Sequence, residues 1–191
     1  MDFGCYVHLP NVYSRGRRYV EPDLEKNTAH QEDRKAMVDL AEIEARMRRI
    51  EDVEAIKRLK YRYWRCLDRL DWEGVMDCFA EDGAVDYAGT IKIDGKRALA
   101  EQLPAILGEH LGVHQGHHPE IDFTSDTTAR GTWGLFVYAL HNERKRGLRI
   151  VGFYEDEYVR EDGQWKIRKS VMKQTFQERW KTEDMPTRFT F

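Results

Sequence analysis

A phenol and a carboxylate, Tyr63 and Asp68, close the aromatic run Tyr-Arg-Tyr-Trp-Arg-Cys-Leu-Asp of residues 61–68. A phenol can polarise a carbonyl and a carboxylate can move a proton, so the pair suits chemistry on a hydrophobic small molecule. Tyr63 shares a helical stripe with Ile56 and Leu59 and is expected to face inward. There it is either a core tyrosine bonded to backbone or a hydroxyl aimed into a pocket. Asp68 falls near the end of the same helical pattern, where the macrodipole disfavours negative charge. It either pairs with Arg65 or Arg69 or is held for proton transfer.

The second group is His114-Gln115-Gly116-His117-His118-Pro119. In an extended stretch, alternation puts His114 and His118 on one face and His117 on the other, which does not converge on a metal ion. No metal and no cofactor is expected. A neutral imidazole is a ready general base, and His114 is the candidate for that role. The catalytic candidates are therefore Tyr63, Asp68 and His114. His117, Trp133, Tyr138 and Tyr154 are the candidate substrate contacts. Glu155-Asp156-Glu157 reads as a mostly solvated acidic run with one member that can turn inward toward a histidine. No phosphate-binding glycine loop, Gly-x-Ser-x-Gly elbow or His-Glu-x-x-His pattern occurs.

The elements that must position these residues come in two blocks. Residues 1–36 show no sustained period and read as an extension. Leu40, Ile43, Met47 and Ile50, then Val53, Ile56, Leu59 and Tyr63, recur at three and four, which predicts helix. The polar first part, 38–51, is expected to lay its apolar stripe on a partner subunit or the back of the domain. Residues 52–69 are expected to line the interior. Asp71 is the N-cap of a short helix through Ala80. After a turn at Glu81-Asp82-Gly83, strands are predicted at 84–87 and about 91–93, then helix over 95–111, kinked or divided at Pro104. Strands at 118–124, 127–141, 148–160 and 164–178 follow, joined by turns at 142–147 and 161–163. Trp133, Leu135 and Val137 share one strand face, Phe136, Tyr138 and Leu140 the other.

Helices followed by long meandering strands predict an α+β fold, a strongly curved antiparallel sheet with helices on one face. The domain is expected over 37–180, with a tail at 181–191. The chain has 191 residues and a formal net charge of −3 with interleaved signs, so no basic face for nucleic acid is expected. No apolar run is long enough to cross a bilayer. Three cysteines without metal spacing fit free thiols in a reducing cytoplasm.

Asp52-Val-Glu-Ala-Ile-Lys-Arg-Leu-Lys, the Tyr63–Asp68 run, Asp71-Trp-Glu, Phe79-Ala-Glu-Asp82 and His114-Gln-Gly-His117 together resemble the SnoaL-like branch of the nuclear transport factor 2-like superfamily. Thr128-Ala-Arg-Gly-Thr-Trp133, Gly152–Tyr158 and Asp162-Gly-Gln-Trp-Lys-Ile167 follow in that family's order, so the resemblance covers about 38–180. Within the branch, the Tyr63–Asp68 run and the His114-Gln-Gly-His117 element resemble those of bacterial bile acid 7α-dehydratases. The resemblance implies a cone-shaped domain. It also implies that Tyr63 bonds a substrate oxo group, that Asp68 assists, and that His114 removes the proton so that hydroxide can leave. In those dehydratases an aspartate supports the base where this chain has Val137, leaving Asp68 or Glu155 to replace it. The expected function is a cofactor-independent lyase (dehydratase) or isomerase acting on a hydrophobic carbonyl compound, steroid-like or polyketide-like, in a homo-oligomer. The alternative is a small-molecule-binding protein or a dioxygenase β-type partner subunit.

Overall fold

The computed structural model describes residues 24–108, 110–141 and 144–184. The first part of the expected extension (1–23), Glu109 of the expected helix, Asn142 and Glu143 of the expected turn and the tail beyond Asp184 lie outside these residues. The chain forms two compact units, Met1–Arg46 and Met47–Phe191. In the first, the described residues are helical. The stretch expected to be irregular up to residue 36 is already helix from Leu24, because α1 runs over Leu24–Asp68. Its Met37, Leu40 and Ile43 are exposed.

The second unit holds the remainder of α1 and all other elements. Ile56, Tyr63, Trp64 and Leu67 are buried, as a stripe at helical spacing requires. Helix α2, Trp72–Asp77, is capped by Asp71, whose Oδ1 accepts from Gly74 N–H at 2.9 Å. It stops short of Ala80 because the chain has turned into β1, Phe79–Tyr87. The Glu81-Asp82-Gly83 segment is therefore an irregularity inside that strand, where its pairing shifts, and not a turn before it. Strand β2, Ile91–Asp94, pairs antiparallel to β1. Helix α3, Lys96–Leu107, carries Pro104 inside a single element and ends at Gly108, whose N–H donates to Pro104 O at 2.9 Å. The helix does not reach 111, because β3 begins at His110.

Strands β3 (His110–Phe123), β4 (Thr128–His141), β5 (Arg146–Glu161) and β6 (Gln164–Lys181) form an antiparallel meander. Asp162 and Gly163, both at positive φ, make the two-residue β5–β6 turn, which needs left-handed residues to match strand twist. The sheet order is β2-β1-β6-β5-β4-β3, with β1 and β6 parallel, so the sheet is mixed though mostly antiparallel. The class is α+β, as expected. Strand β4 buries Trp133, Leu135 and Val137 on its inner face. Asp52 of α1 anchors the helix on the sheet, accepting from Arg160 and from Trp165 Nε1. Among the described residues, no helix is long and apolar enough to cross a membrane.

Candidate active site

Helix α1 ends abruptly beside β3. Leu70 takes a left-handed conformation (φ 56°), and Asp71 N–H reaches back to Cys66 O at 2.9 Å. This closure leaves Asp68 on the last turn of the helix. Strand β3 supplies its partner: His114 Nδ1 lies 2.6 Å from Asp68 Oδ1. The His114 backbone N–H also donates to both carboxylate oxygens, at 3.1 and 3.2 Å. One carboxylate thus fixes strand and ring together. In the tautomer this bond favours, Nδ1 carries the proton and Nε2 keeps its lone pair. The two side chains are 19% and 23% exposed, so the dyad is reachable yet partly shielded.

His114 lines a cavity of about 510 Å³. Its helical side is Leu67, Leu70, Trp72, Ile106 and Leu107; the sheet contributes Val137, Ala139, Leu148, Ile150 and Met172. Tyr87 and Tyr154 also line it. Val137 sits opposite His114 in the β3–β4 ladder. The carboxylate that holds the His114 ring therefore comes from α1 through Asp68 and not from the neighbouring strand. Glu155 is exposed and bonds Lys173 at 2.6 Å, so it plays no part.

Tyr63 lies behind this wall. It is wholly buried, and its hydroxyl meets that of Tyr87 in a short hydrogen bond. The helical stripe marks Tyr63 as inward, but Tyr87 stands between it and the cavity. Burial holds the Tyr63 and Tyr154 phenols well above their ordinary range, and burial likewise raises Tyr87. All three are protonated donors at neutral pH. Tyr87 carries no motif; its place on the inner side of β1 was its only signal.

Of the candidate contacts, Tyr154 alone lines this cavity. Trp133 is fully buried and donates from Nε1 to Tyr158 OH at 2.9 Å. Tyr138 points to the other face of β4 and lies against Trp180, ring centroids 5.3 Å apart. His117 is exposed, in a shallow depression with Gln115 and Phe153. His118 does not follow His114: its φ of 47° and a register shift before Glu120 place its ring beside His117, centroids 5.9 Å apart. Gly116 has a packing reason, since a Cβ there would overlap the Trp64 ring.

A second polar group is sealed beneath the cavity. Lys60, wholly buried, pairs with Asp156 Oδ2 at 2.7 Å. Asp156 also accepts from Tyr158 OH at 2.7 Å and from Ser170 Oγ at 2.8 Å. The Lys60 ammonium lies 3.9 Å from the Tyr154 ring centroid. Burial pulls the Lys60 pKa down, while Asp156 opposes that shift. The acidic run does turn one member inward, but toward a lysine. Asp156 shares the inner face of β5 with Tyr154 and Tyr158, and Lys60 continues the stripe of Ile56 and Tyr63; both periodicities were available in the sequence.

The SnoaL-like domain family matches residues 48–171. This chain belongs to that family. Among solved structures, it resembles a candidate scytalone dehydratase from Novosphingobium aromaticivorans, at 26% identity and a TM-score of 0.64 over 68% of this chain and 88% of that one. A type 2 hexachlorocyclohexane dehydrochlorinase, LinA, matches at 19% identity and a TM-score of 0.64, covering 74% of this chain and 95% of that one. ActVI-ORFA from Streptomyces coelicolor matches at 17% identity and a TM-score of 0.52, covering 64% and 96%. At such identities the last two carry the fold alone. The SnoaL-like fold is shared by dehydratases, dehydrochlorinases and polyketide enzymes, so the reaction must be argued from the site.

Proposed function

We propose that this SnoaL-like protein is a cofactor-independent lyase or isomerase that acts on a hydrophobic carbonyl compound, steroid-like or polyketide-like. The observation that carries the reading is the His114–Asp68 dyad opening onto an apolar cavity. His114 Nε2 takes a proton from the carbon beside the carbonyl, and Asp68 steadies the imidazolium that forms. The electron pair moves onto the carbonyl oxygen, which accepts from the Tyr87 or Tyr154 hydroxyl. Tyr63 acts on that oxygen through Tyr87. The imidazolium then returns its proton, either to a β-hydroxyl leaving as water or to another carbon in an isomerisation. The candidate scytalone dehydratase among the structural relatives supports the elimination branch.

The test is a panel of β-hydroxy ketones and oxo-steroids, read for enone formation and for deuterium uptake from solvent. His114→Gln is expected to slow turnover by about 10²–10⁴, and Tyr87→Phe by about 10²–10³, more than Tyr63→Phe. Turnover indifferent to His114 would sink the assignment. The exposed Met37, Leu40, Ile43, Met47 and Ile50 support the companion proposal of a homo-oligomer, which sedimentation would check.

A further inference from the structure

The cavity is lined unevenly. His114 stands at one edge of its sheet floor, on β3. From there the ladder runs His114–Val137–Ile150–Gln177, one rung per strand, to β6. The adjacent row is Gly112–Ala139–Leu148–Arg179. The middle of both rows is aliphatic, and the far end is polar. Three strand spacings separate the two ends, about 14 Å along the sheet.

At the far end the lining includes Gln174, Gln177, Arg179 and, from the turn before β5, Arg144. Among the described residues no carboxylate lines the cavity. Among the described residues neither guanidinium has an acidic partner, although the neighbouring outward-facing pair on the same strands, Arg149 and Glu178, is bridged at 2.8 Å. Arg179 is instead oriented by an amide. With the Gln177 oxygen turned toward it, Nε donates at 2.6 Å and one terminal nitrogen at 3.1 Å, while the Gln177 nitrogen donates to Gln174 at 3.2 Å. A guanidinium held by a neutral partner keeps its full charge for a ligand.

We propose that the cavity selects a hydrophobic carboxylate, its anion on Arg144 and Arg179 and its reacting carbon across the sheet at His114. This rests on the reading of the cavity as the substrate site and narrows the substrate class. The apolar span accepts a fused-ring or extended aliphatic body, and the two cations reject a neutral end that leaves them unanswered. Both arginines remain in contact with water, so the preference weakens with salt.

The test compares 1-pyrenebutyrate with 1-pyrenebutanol, the same body and tail with and without the anion, by fluorescence anisotropy on the full chain. The acid is expected to bind at least about tenfold more tightly at low salt. Arg144→Gln and Arg179→Gln should each reduce that ratio, and the double variant should bring it close to one. The alcohol serves as the control for an intact cavity. Equal affinities in the wild-type protein, a ratio undiminished in the double variant, or binding of neither probe would overturn the proposal. If the carboxylate preference fails while turnover still depends on His114, the headgroup assignment alone is wrong. If the preference holds and depends on both arginines while turnover ignores His114, the inference stands and the reaction falls.

Discussion

Two aspartates meet two bases in this protein, with opposite outcomes. His114 lines the cavity and Asp68 holds it from behind, each about a fifth exposed. Asp156 and Lys60 lie a few ångströms behind the same wall with no exposure at all. The sealed pair has every carboxylate oxygen bonded, and its ammonium is covered by the rings of Tyr63, Trp64 and Tyr154. It has no path to a substrate and serves to hold α1 on the sheet. Among the described residues, the open pair leaves one imidazole nitrogen without a hydrogen-bond partner in its preferred tautomer. Similar charge pairing can only be structural where water is excluded on all sides, and is available for chemistry where one partner lines a cavity.

The largest effect that would break this contrast is on rate. Asp68→Asn would present an amide N–H to His114 Nδ1, force the ring proton onto Nε2 and remove the base. Turnover should fall by about 10²–10⁴, with stability changing by about 1 kcal/mol or less. Steady-state kinetics beside a denaturant titration separates the two. Lys60→Ala should do the reverse. It strands Asp156 in the core and should cost about 3–5 kcal/mol of stability, whereas Lys60→Met with Asp156→Leu should recover most of it. Chemical denaturation of both variants reads this, and a Lys60→Ala protein as stable as wild type would refute the structural role.

A packing probe lies between the two regions. Gly116→Ala would drive a methyl into Trp64, which also covers Lys60, and should cost about 1–3 kcal/mol through overpacking. A further effect is alkaline. Burial pushes the Cys78 thiol up to about 12, and Tyr63, Tyr87, Tyr154 and Tyr158 are raised as well. From an unfolded thiol value near 9 up to about 12, the unfolded chain releases protons that the folded chain keeps. Stability therefore falls as pH rises through that window, by up to about 1.4 kcal/mol per pH unit for each group. Lys60, shifted downward, contributes in the opposite sense. Denaturant midpoints at stepped pH should fall, and tyrosinate absorbance from the buried four should appear only with unfolding.

The long strands, the Asp71 cap and the inward stripe through Ile56 and Tyr63 were legible because each rests on local chemistry or a short period. His114 and Asp68 could be singled out by residue type and setting. Lys60 was not legible, because a charged residue on an apolar period reads as surface until its partner is known, so the inward member of the acidic run pointed to a histidine and not to Lys60. The start of β3 was hidden as well, since the leucines near residue 107 extend a helical pattern that Gly108 ends.

The sequence by itself determined the α+β order of elements, the family and the residues able to move a proton. Only the tertiary structure decided that Asp68 reaches His114, that Tyr87 and not Tyr63 lines the cavity, and that two arginines line its far end. Periodicity tells a side chain's face within its own element. Which of two interior compartments that face meets is set by the register of strands and the packing of α1 across them, contacts between residues far apart in the chain.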